Sequence, residues 1–361
     1  MLKRLGLIAV LLLALAGAAL AQEEPTPAVI GPTLNSVLSR GVVACGLNQS
    51  LRGFGFLDPN TGELRGFEVD LCRALAAAVF SDATAAQLVP FSGDSGLNAL
   101  ESGEIDVLLR NVVWTLSLDS RPRLDFGTIT FYTGQTFITR VDSSLSGWDD
   151  LDGGVICIVE GSTAAASLGQ AMAVRGLSYQ PVTLPTAAEA VQALTEGRCQ
   201  AYSAGLIDLE AARQRLTDPA AYTVWQGREH LYTQEPIAPV YRSDDPQWAD
   251  IVNWTILGLI QAEQLGITSE NINTIIRQPN EGEETYINRV GADVARFLDV
   301  KTGVGGQLTL ANDFMVNVIR EVGNYGEIYN RHFGPGGELR LERDLNSLWR
   351  DGGLLYAPSW R

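Results

Sequence analysis

The chain has 361 residues and a formal charge of −16 at pH 7. That length allows two lobes with separate cores. The acidic balance argues against nucleic acid and anionic lipid surfaces as partners, and says little about a small ligand.

The first residues carry an export signal. Lys3 and Arg4 make a positive start, and Leu5 to Leu15 form an apolar run too short to span a membrane comfortably. Ala19-Leu20-Ala21 reads as a small-x-small cleavage site with Gln22 as the new N-terminus. Glu23 to Pro32 has three prolines and no apolar period, as expected of a flexible leader. No later stretch carries the ~18 uninterrupted apolar residues of a membrane helix.

Val42 to Leu47 is a short apolar run ending in a polar loop, and predicts a buried strand. A Gly53-Phe54-Gly55-Phe56 loop and the turn Asp58 to Gly62 follow. The Ala- and Leu-rich segment Leu71–Phe80 predicts a helix. A strand is expected over Gln87–Phe91, a helix over Leu97–Ser102 closed by Gly103, and a strand over Glu104–Leu109. Near residue 150 the alternation restarts. Strands are expected at Gly154–Val159, Tyr179–Leu184 and Cys199–Ala204, with helices at Ala164–Arg175, Thr186–Glu196 and Leu206–Leu216. Beyond residue 245 the spacing is helical, at Trp248–Ala262 and Asn312–Arg331, and this tail is expected to pack back on the first lobe. Strands alternating with helices mean α/β lobes with largely parallel sheets. The joins between lobes fall near Phe137–Val141 and near Glu235–Arg242.

Four cysteines in an exported chain suggest two disulfides. Spacing does not choose among three pairings, but chain order suggests one bridge per lobe, Cys45–Cys72 and Cys157–Cys199. No C-x-x-C spacing occurs, and His230 and His332 lie far apart, so a metal site is disfavoured and both histidines read as surface or packing residues. No cofactor is expected.

The order of these pieces resembles the extracellular solute-binding proteins of polar amino-acid ABC importers, and within them the general L-amino-acid-binding subfamily with its C-terminal extension. The stretches that carry the resemblance are Gly66–Ala74, Ser102–Asn111, Trp114–Ser117, Gly197–Cys199, Val322–Tyr329 and Gly352–Pro358. The resemblance implies a two-lobed α/β periplasmic-binding-protein fold of type II, with two crossover hinge strands and a helical C-terminal extension. It also implies a small-molecule ligand, a membrane permease as partner, and a monomer in the periplasm or another extracytoplasmic space. The division expected is a signal peptide at 1–21, a leader at 22–32, a first lobe at 33–139 and 238–361, and a second lobe at 140–237.

A free amino acid is a zwitterion, and burying both charges is costly unless each is paired. The carboxylate suits a bidentate Arg and backbone amides at a helix start, and the ammonium needs an acid. In the family, a Thr-x-x-Arg stretch supplies the Arg. Here it reads Thr115-Leu116-Ser117-Leu118, so Leu118 stands at the Arg position, and Val113 stands where a hydroxyl residue is usual. The family acid falls six residues beyond the Gly-Arg-Cys cysteine, which here is Gly205. Both anchors are missing at their usual positions. Arg110 for the carboxylate, and Asp208 or Glu160 for the ammonium, are the neighbours that could replace them. Arg110 could instead pair an acid at the lobe interface, and Asp208 could face solvent or the dipole of its helix. Gly161-Ser162-Thr163, between a strand and a helix, can hold an anion or a carbonyl. Phe54 is the aromatic expected over the ligand, with Phe56 behind it. Asn111 and Thr115 offer polar groups at a strand end, where ligands bind in open α/β sheets. The pattern implies a ligand altered from free amino acids: a derivative, an amide or a small peptide-like solute.

Two other readings stand beside this one. A dehydratase or lyase on the same fold needs a positioned acid or base, for which Glu160, Asp94 and Asp208 are the candidates, none of them in a diagnostic motif. A sensor without a transport role would share the fold.

Overall fold

The computed structural model describes residues 30–92, 95–298 and 304–360. The signal segment, most of the leader and Asp94 lie outside the described residues.

In chain order the strands are β1 (Val43–Asn48), β2 (Ser50–Leu51), β3 (Gly55–Leu57), β4 (Leu64–Arg65), β5 (Ala86–Phe91), β6 (Val107–Leu109), β7 (Leu124–Phe126), β8 (Phe131–Thr133), β9 (Gln135–Arg140), β10 (Gly154–Val159), β11 (Tyr179–Leu184), β12 (Ala201–Gly205), β13 (Tyr222–Val224), β14 (Glu235–Ile237) and β15 (Val240–Arg242). The helices are α1 (Pro32–Arg40), α2 (Phe67–Phe80), α3 (Ser95–Ser102), α4 (Leu116–Asp119), α5 (Thr163–Ala173), α6 (Ala187–Thr195), α7 (Leu206–Arg213), α8 (Pro246–Gln264), α9 (Ile272–Ile275), α10 (Glu283–Val290), α11 (Ala292–Leu298), α12 (Val304–Gln307), α13 (Phe314–Val322) and α14 (Tyr325–His332).

Among the described residues two five-stranded sheets each centre one lobe. The first has the order β5-β1-β6-β15-β7 and the second β11-β10-β12-β9-β13. In each, the central pairs are parallel and the return strands antiparallel. Every residue of β1 is buried, as a parallel strand covered on both faces must be. Disulfides Cys45–Cys72 and Cys157–Cys199 tie β1 to α2 and β10 to the approach to β12, one in each lobe. Each closes a loop of 27 or 42 residues, and loop-closure entropy makes such a bridge worth about 3–4 kcal/mol.

The chain crosses between the lobes on β8 and β14, which pair with each other as an antiparallel ribbon. The first crossing precedes the join expected at Phe137–Val141, because β9 already pairs with β12 in the second sheet. β9 is buried along most of its length, so its apolar signal belongs to a sheet interior rather than to a hinge. The second crossing occupies the start of the expected stretch Glu235–Arg242.

Pro32 does not end a leader but opens α1, following Gly31 at the N-cap. The buried Asp245 carboxylate accepts from the Leu34 amide (2.9 Å) and from the Trp248 amide (2.9 Å), so one side chain caps both α1 and α8. The expected helix Asn312–Arg331 is two helices. Gly323, at φ 93°, ends α13, and Asn324 starts α14 with a reciprocal capping box to Glu327. The helical extension packs on the first lobe, where α13 and α14 lie against α2 and α8. Past α14 it also reaches the second lobe, where Arg228 donates to Asp344 Oδ1 (2.9 Å) and to the Gly352 carbonyl (2.7 Å).

Candidate functional site

A cavity of about 550 Å³ opens between the lobes. Its first-lobe wall is Ser50 and Leu51; its second-lobe wall comes from the ends of β10 and β12, the turn into α5, and one face of α7. This is the carboxyl end of the second sheet's parallel strands, where ligands bind in open α/β sheets.

Gly161, Ser162 and Thr163 line the cavity as expected. Ser162 is the N-cap of α5, and its hydroxyl is fully engaged: it donates to the Val159 carbonyl (2.7 Å) and accepts from the Ala165 amide (3.1 Å). That fixes the turn and leaves Thr163, which is exposed, as its open hydroxyl. Glu160 is exposed and does not line the cavity; its backbone amide donates to Leu184.

Gly205 and Asp208 both line the cavity. Gly205 is the N-cap of α7, and Asp208 stands one turn in. A Cβ placed on Gly205 would lie 3.0 Å from Asp208 Oδ2 and 3.5 Å from Gln135 Nε2. The Asp208 carboxylate therefore fills much of the space that an acid at position 205 would use. Burial and then the charge of Glu235 push the Asp208 pKa above the ordinary carboxylate range. Burial and then Asp208 push the Tyr202 phenol up to about 12. Gln135 donates to Glu235 Oε1 (2.9 Å), and so does the Thr233 hydroxyl (2.8 Å). Asp208 thus lines the cleft, and behind it Glu235, on the crossover strand β14 and lining a neighbouring cavity, adds a second negative charge that acts on it. That corner suits a cation.

The first lobe gives different results. Phe54 does not line the cavity. It is fully buried and packs edge-on against Phe67, Phe131 and Phe333 at centroid distances of 6.2, 5.0 and 4.9 Å. Burying such a ring is worth about 1.5–3 kcal/mol, and C-terminal Phe333, remote in sequence, completes its socket. Leu51 faces the cleft instead. Phe56 sits under the Arg52 guanidinium (4.1 Å), away from the cavity. Arg110 does not line the cavity either. Its Nε donates to the Phe91 carbonyl (3.3 Å), and its charge acts on Glu68. Asn111, in the left-handed region at φ 45°, accepts from Asn48 (2.8 Å) and donates its amide to the Glu68 carboxylate. Val113 bridges Ile237 of the crossover. Thr115 is the N-cap of α4, and Leu118, half-buried, packs against the small apolar core that includes Leu97, Leu108, Phe126 and Val240. No expected first-lobe residue lines the cavity. Ser50, Leu51, Gln135, Tyr202 and Arg215 do, and nothing in the sequence singled them out.

His332 Nε2 lies 2.6 Å from Asp70, and His230 packs on Trp225, so both are packing residues. Among the described residues no cluster of His, Cys, Asp and Glu could hold a metal ion, and no helix is long and apolar enough to cross a membrane.

Two sheet-centred lobes, a paired crossover and a polar cleft define a solute-binding protein of the hinged, two-lobed class. Residues 43–335 match the family described as bacterial extracellular solute-binding proteins, family 3, and the chain belongs to that family. It is 38% identical over 331 residues to the general L-amino acid-binding periplasmic protein AapJ of Rhizobium johnstonii, covering 91% of this chain and 93% of that one. It is 35% identical over 329 residues to the glutamate/glutamine/aspartate/asparagine-binding protein BztA of Rhodobacter capsulatus, covering 91% and 93%. A solved ABC-transporter periplasmic binding protein from Brucella ovis, with glutathione bound, superimposes with a TM-score of 0.76 at 35% identity, over 91% of this chain and 99% of that one. The chain is accordingly an exported binding component of an amino-acid-type ABC importer.

Proposed function

We propose that this protein captures, as a monomer, a solute with a free ammonium group whose neighbouring carboxyl is masked, as in an amide or a short peptide, and delivers it to its permease. Nucleic acid has no part in this role. Asp208, backed by Glu235, receives the ammonium, in place of the acid that Gly205 lacks. The turn Gly161–Thr163 faces the masked carbonyl, with Thr163 as donor. Leu51 covers the apolar part.

The observation that carries the reading is the asymmetry between the two anchors. The acid lost at Gly205 has a replacement within 3.0 Å of the vacant Cβ position. The arginine lost at Leu118 has none: the leucine packs against the small apolar core, and Arg110 is committed to Phe91 and Glu68. A free carboxylate next to the ammonium would lack a bidentate partner there, and an unpaired charge out of water is strongly disfavoured. The Brucella ovis relative holds glutathione, which accords with a peptide-sized solute and not with the masking, since the ammonium of glutathione stands beside a free carboxylate.

The test is thermal unfolding of the mature protein with free amino acids, their amides, and short peptides. A ligand that binds only the folded state raises the melting temperature by linkage, about 2.7 kcal/mol at a hundredfold excess over Kd. Amides or peptides should shift it, and free amino acids should not. Strong shifts by ordinary free amino acids, with a co-crystal showing a paired carboxylate, would overturn the reading.

A further inference from the structure

The second lobe carries arginines at positions 140, 175, 198, 213, 215 and 228 and no lysine. Arg140, Arg198, Arg213 and Arg228 each pair with a carboxylate, at Asp142, Glu196, Glu210 and Asp344. Arg175 lies over the Trp148 ring and donates to the Ala171 carbonyl. Among the described residues of this lobe, Arg215 is the arginine whose guanidinium has neither an ion pair nor a hydrogen bond. It also lines the cleft cavity.

Its place relative to Asp208 follows from the helix. Asp208, Ala211 and Ala212 line the cavity from one face of α7, and Arg215 lines it from the turn just past the helix's C-cap, its amide donating to the Ala212 carbonyl (3.0 Å). Five residues of helix at 1.5 Å each and the two-residue turn that follows put the two backbones on the order of 10 Å apart. The residues between them are alanines, which leave open space where larger side chains would fill it. A helix end favours a cation by its dipole, but that interaction uses none of the five guanidinium donors, which match a carboxylate in bidentate fashion. An acidic end and a basic end therefore face one channel.

Resting on the ammonium assignment above, we propose that Arg215 is a specificity-determining residue that receives a distal carboxylate, so that the solute is a short peptide or peptide-like acid. An extended chain rises ~3.3–3.6 Å per residue, so two or three residues span the separation between the anchors. The α-ammonium and α-carboxylate of a single amino acid sit on one carbon and cannot reach both anchors. The arrangement thus reads length as well as charge.

The experiment compares the mature wild type with R215Q, R215K and D208N, titrated calorimetrically with tri-alanine and with tri-alanine amide, which lacks the terminal charge. The melting temperature of unliganded R215Q should match the wild type, since no contact within the protein is lost. The wild type should prefer the acid over the amide by about tenfold or more, the size of one charge-assisted hydrogen bond. R215Q should bind both peptides as the wild type binds the amide, R215K should recover part of the preference, and D208N should weaken both peptides alike. If R215Q keeps the wild-type preference while D208N weakens binding, the assignment of Arg215 is overturned and the ammonium reading stands. If D208N binds both peptides at full strength, the ammonium reading fails, and loss of preference in R215Q would still support the distal anchor. If the wild type binds neither peptide, both are overturned.

Discussion

The Asp208 carboxylate lies 3.0 Å from the point where a side chain on Gly205 would begin. A residue one helical turn along thus restores a charge that its own strand end has lost. Glycine at 205 is what makes room: any side chain there would crowd the carboxylate. We expect D208N to weaken binding of ammonium-bearing solutes by about 10- to 150-fold, the ~1.5–3 kcal/mol of a hydrogen bond to a charged group. Calorimetric titration at pH 7 checks this.

The same carboxylate sets a pH dependence. Burial and Glu235 raise its pKa in the folded state, so its ionised form opposes folding above that pKa, and the penalty vanishes once pH falls below the unfolded value. Asp208 is nonetheless exposed to the open cleft, which screens the penalty, so unliganded D208N should melt only slightly higher than the wild type at neutral pH and equally at low pH. Wild-type binding of ammonium solutes should fade on acidification at a higher pH than an ordinary aspartate would give. Equal melting curves across pH would contradict this.

Leu118 offers a gain-of-function test. Arginine at this position would leave a small apolar core and cost about 1–2 kcal/mol of stability, a common size for a disturbed apolar contact. It would return a bidentate partner to the first lobe. L118R should acquire binding of free amino acids at least tenfold tighter than wild type, read by thermal shift or calorimetry.

Glu68 is buried, with Oε2 lacking a hydrogen-bond partner and Oε1 accepting from Asn111. Burial pushes its pKa up to about 8, against the lowering influence of the Asn111 amide and Arg110. A raised carboxyl pKa means that stability falls as pH rises from the unfolded value of ~4.5 toward 8, then levels. E68Q keeps the acceptor and removes the charge. Its melting temperature should equal the wild type's at pH 4 and exceed it increasingly up to pH 8, a difference on the order of a few kcal/mol.

Asp245 caps two helices at once. D245A should cost about 2–4 kcal/mol, two caps at ~1–2 kcal/mol each, whereas S162A at the start of α5 loses one. Denaturant unfolding of both variants gives the comparison, and a D245A effect no larger than that of S162A would show that one of the two caps contributes nothing.

The sequence by itself determined the local and the periodic. Strand-helix alternation, the apolar run of β1 and the glycine stops follow from properties of neighbouring residues, and the lobes come from these; the cysteine order suggested one bridge per lobe, and the fold made that pairing. Set beside the family's pattern, the sequence also pointed to the missing charges at Leu118 and Gly205. What only the tertiary structure decided was which way side chains point. Phe54 belongs to the core because Phe333, nearly three hundred residues on, closes its socket. Arg110 turns to the Phe91 carbonyl because the end of β5 lies beside it. Leu51, Gln135 and Arg215 reach the cleft through the lobe packing and the turn of α7, neither of which leaves a local signal. Elements form from short-range propensity, whereas a binding cleft is assembled from long-range contacts, and only the folded chain brings Asp208, Glu235 and the crossover ribbon to one corner.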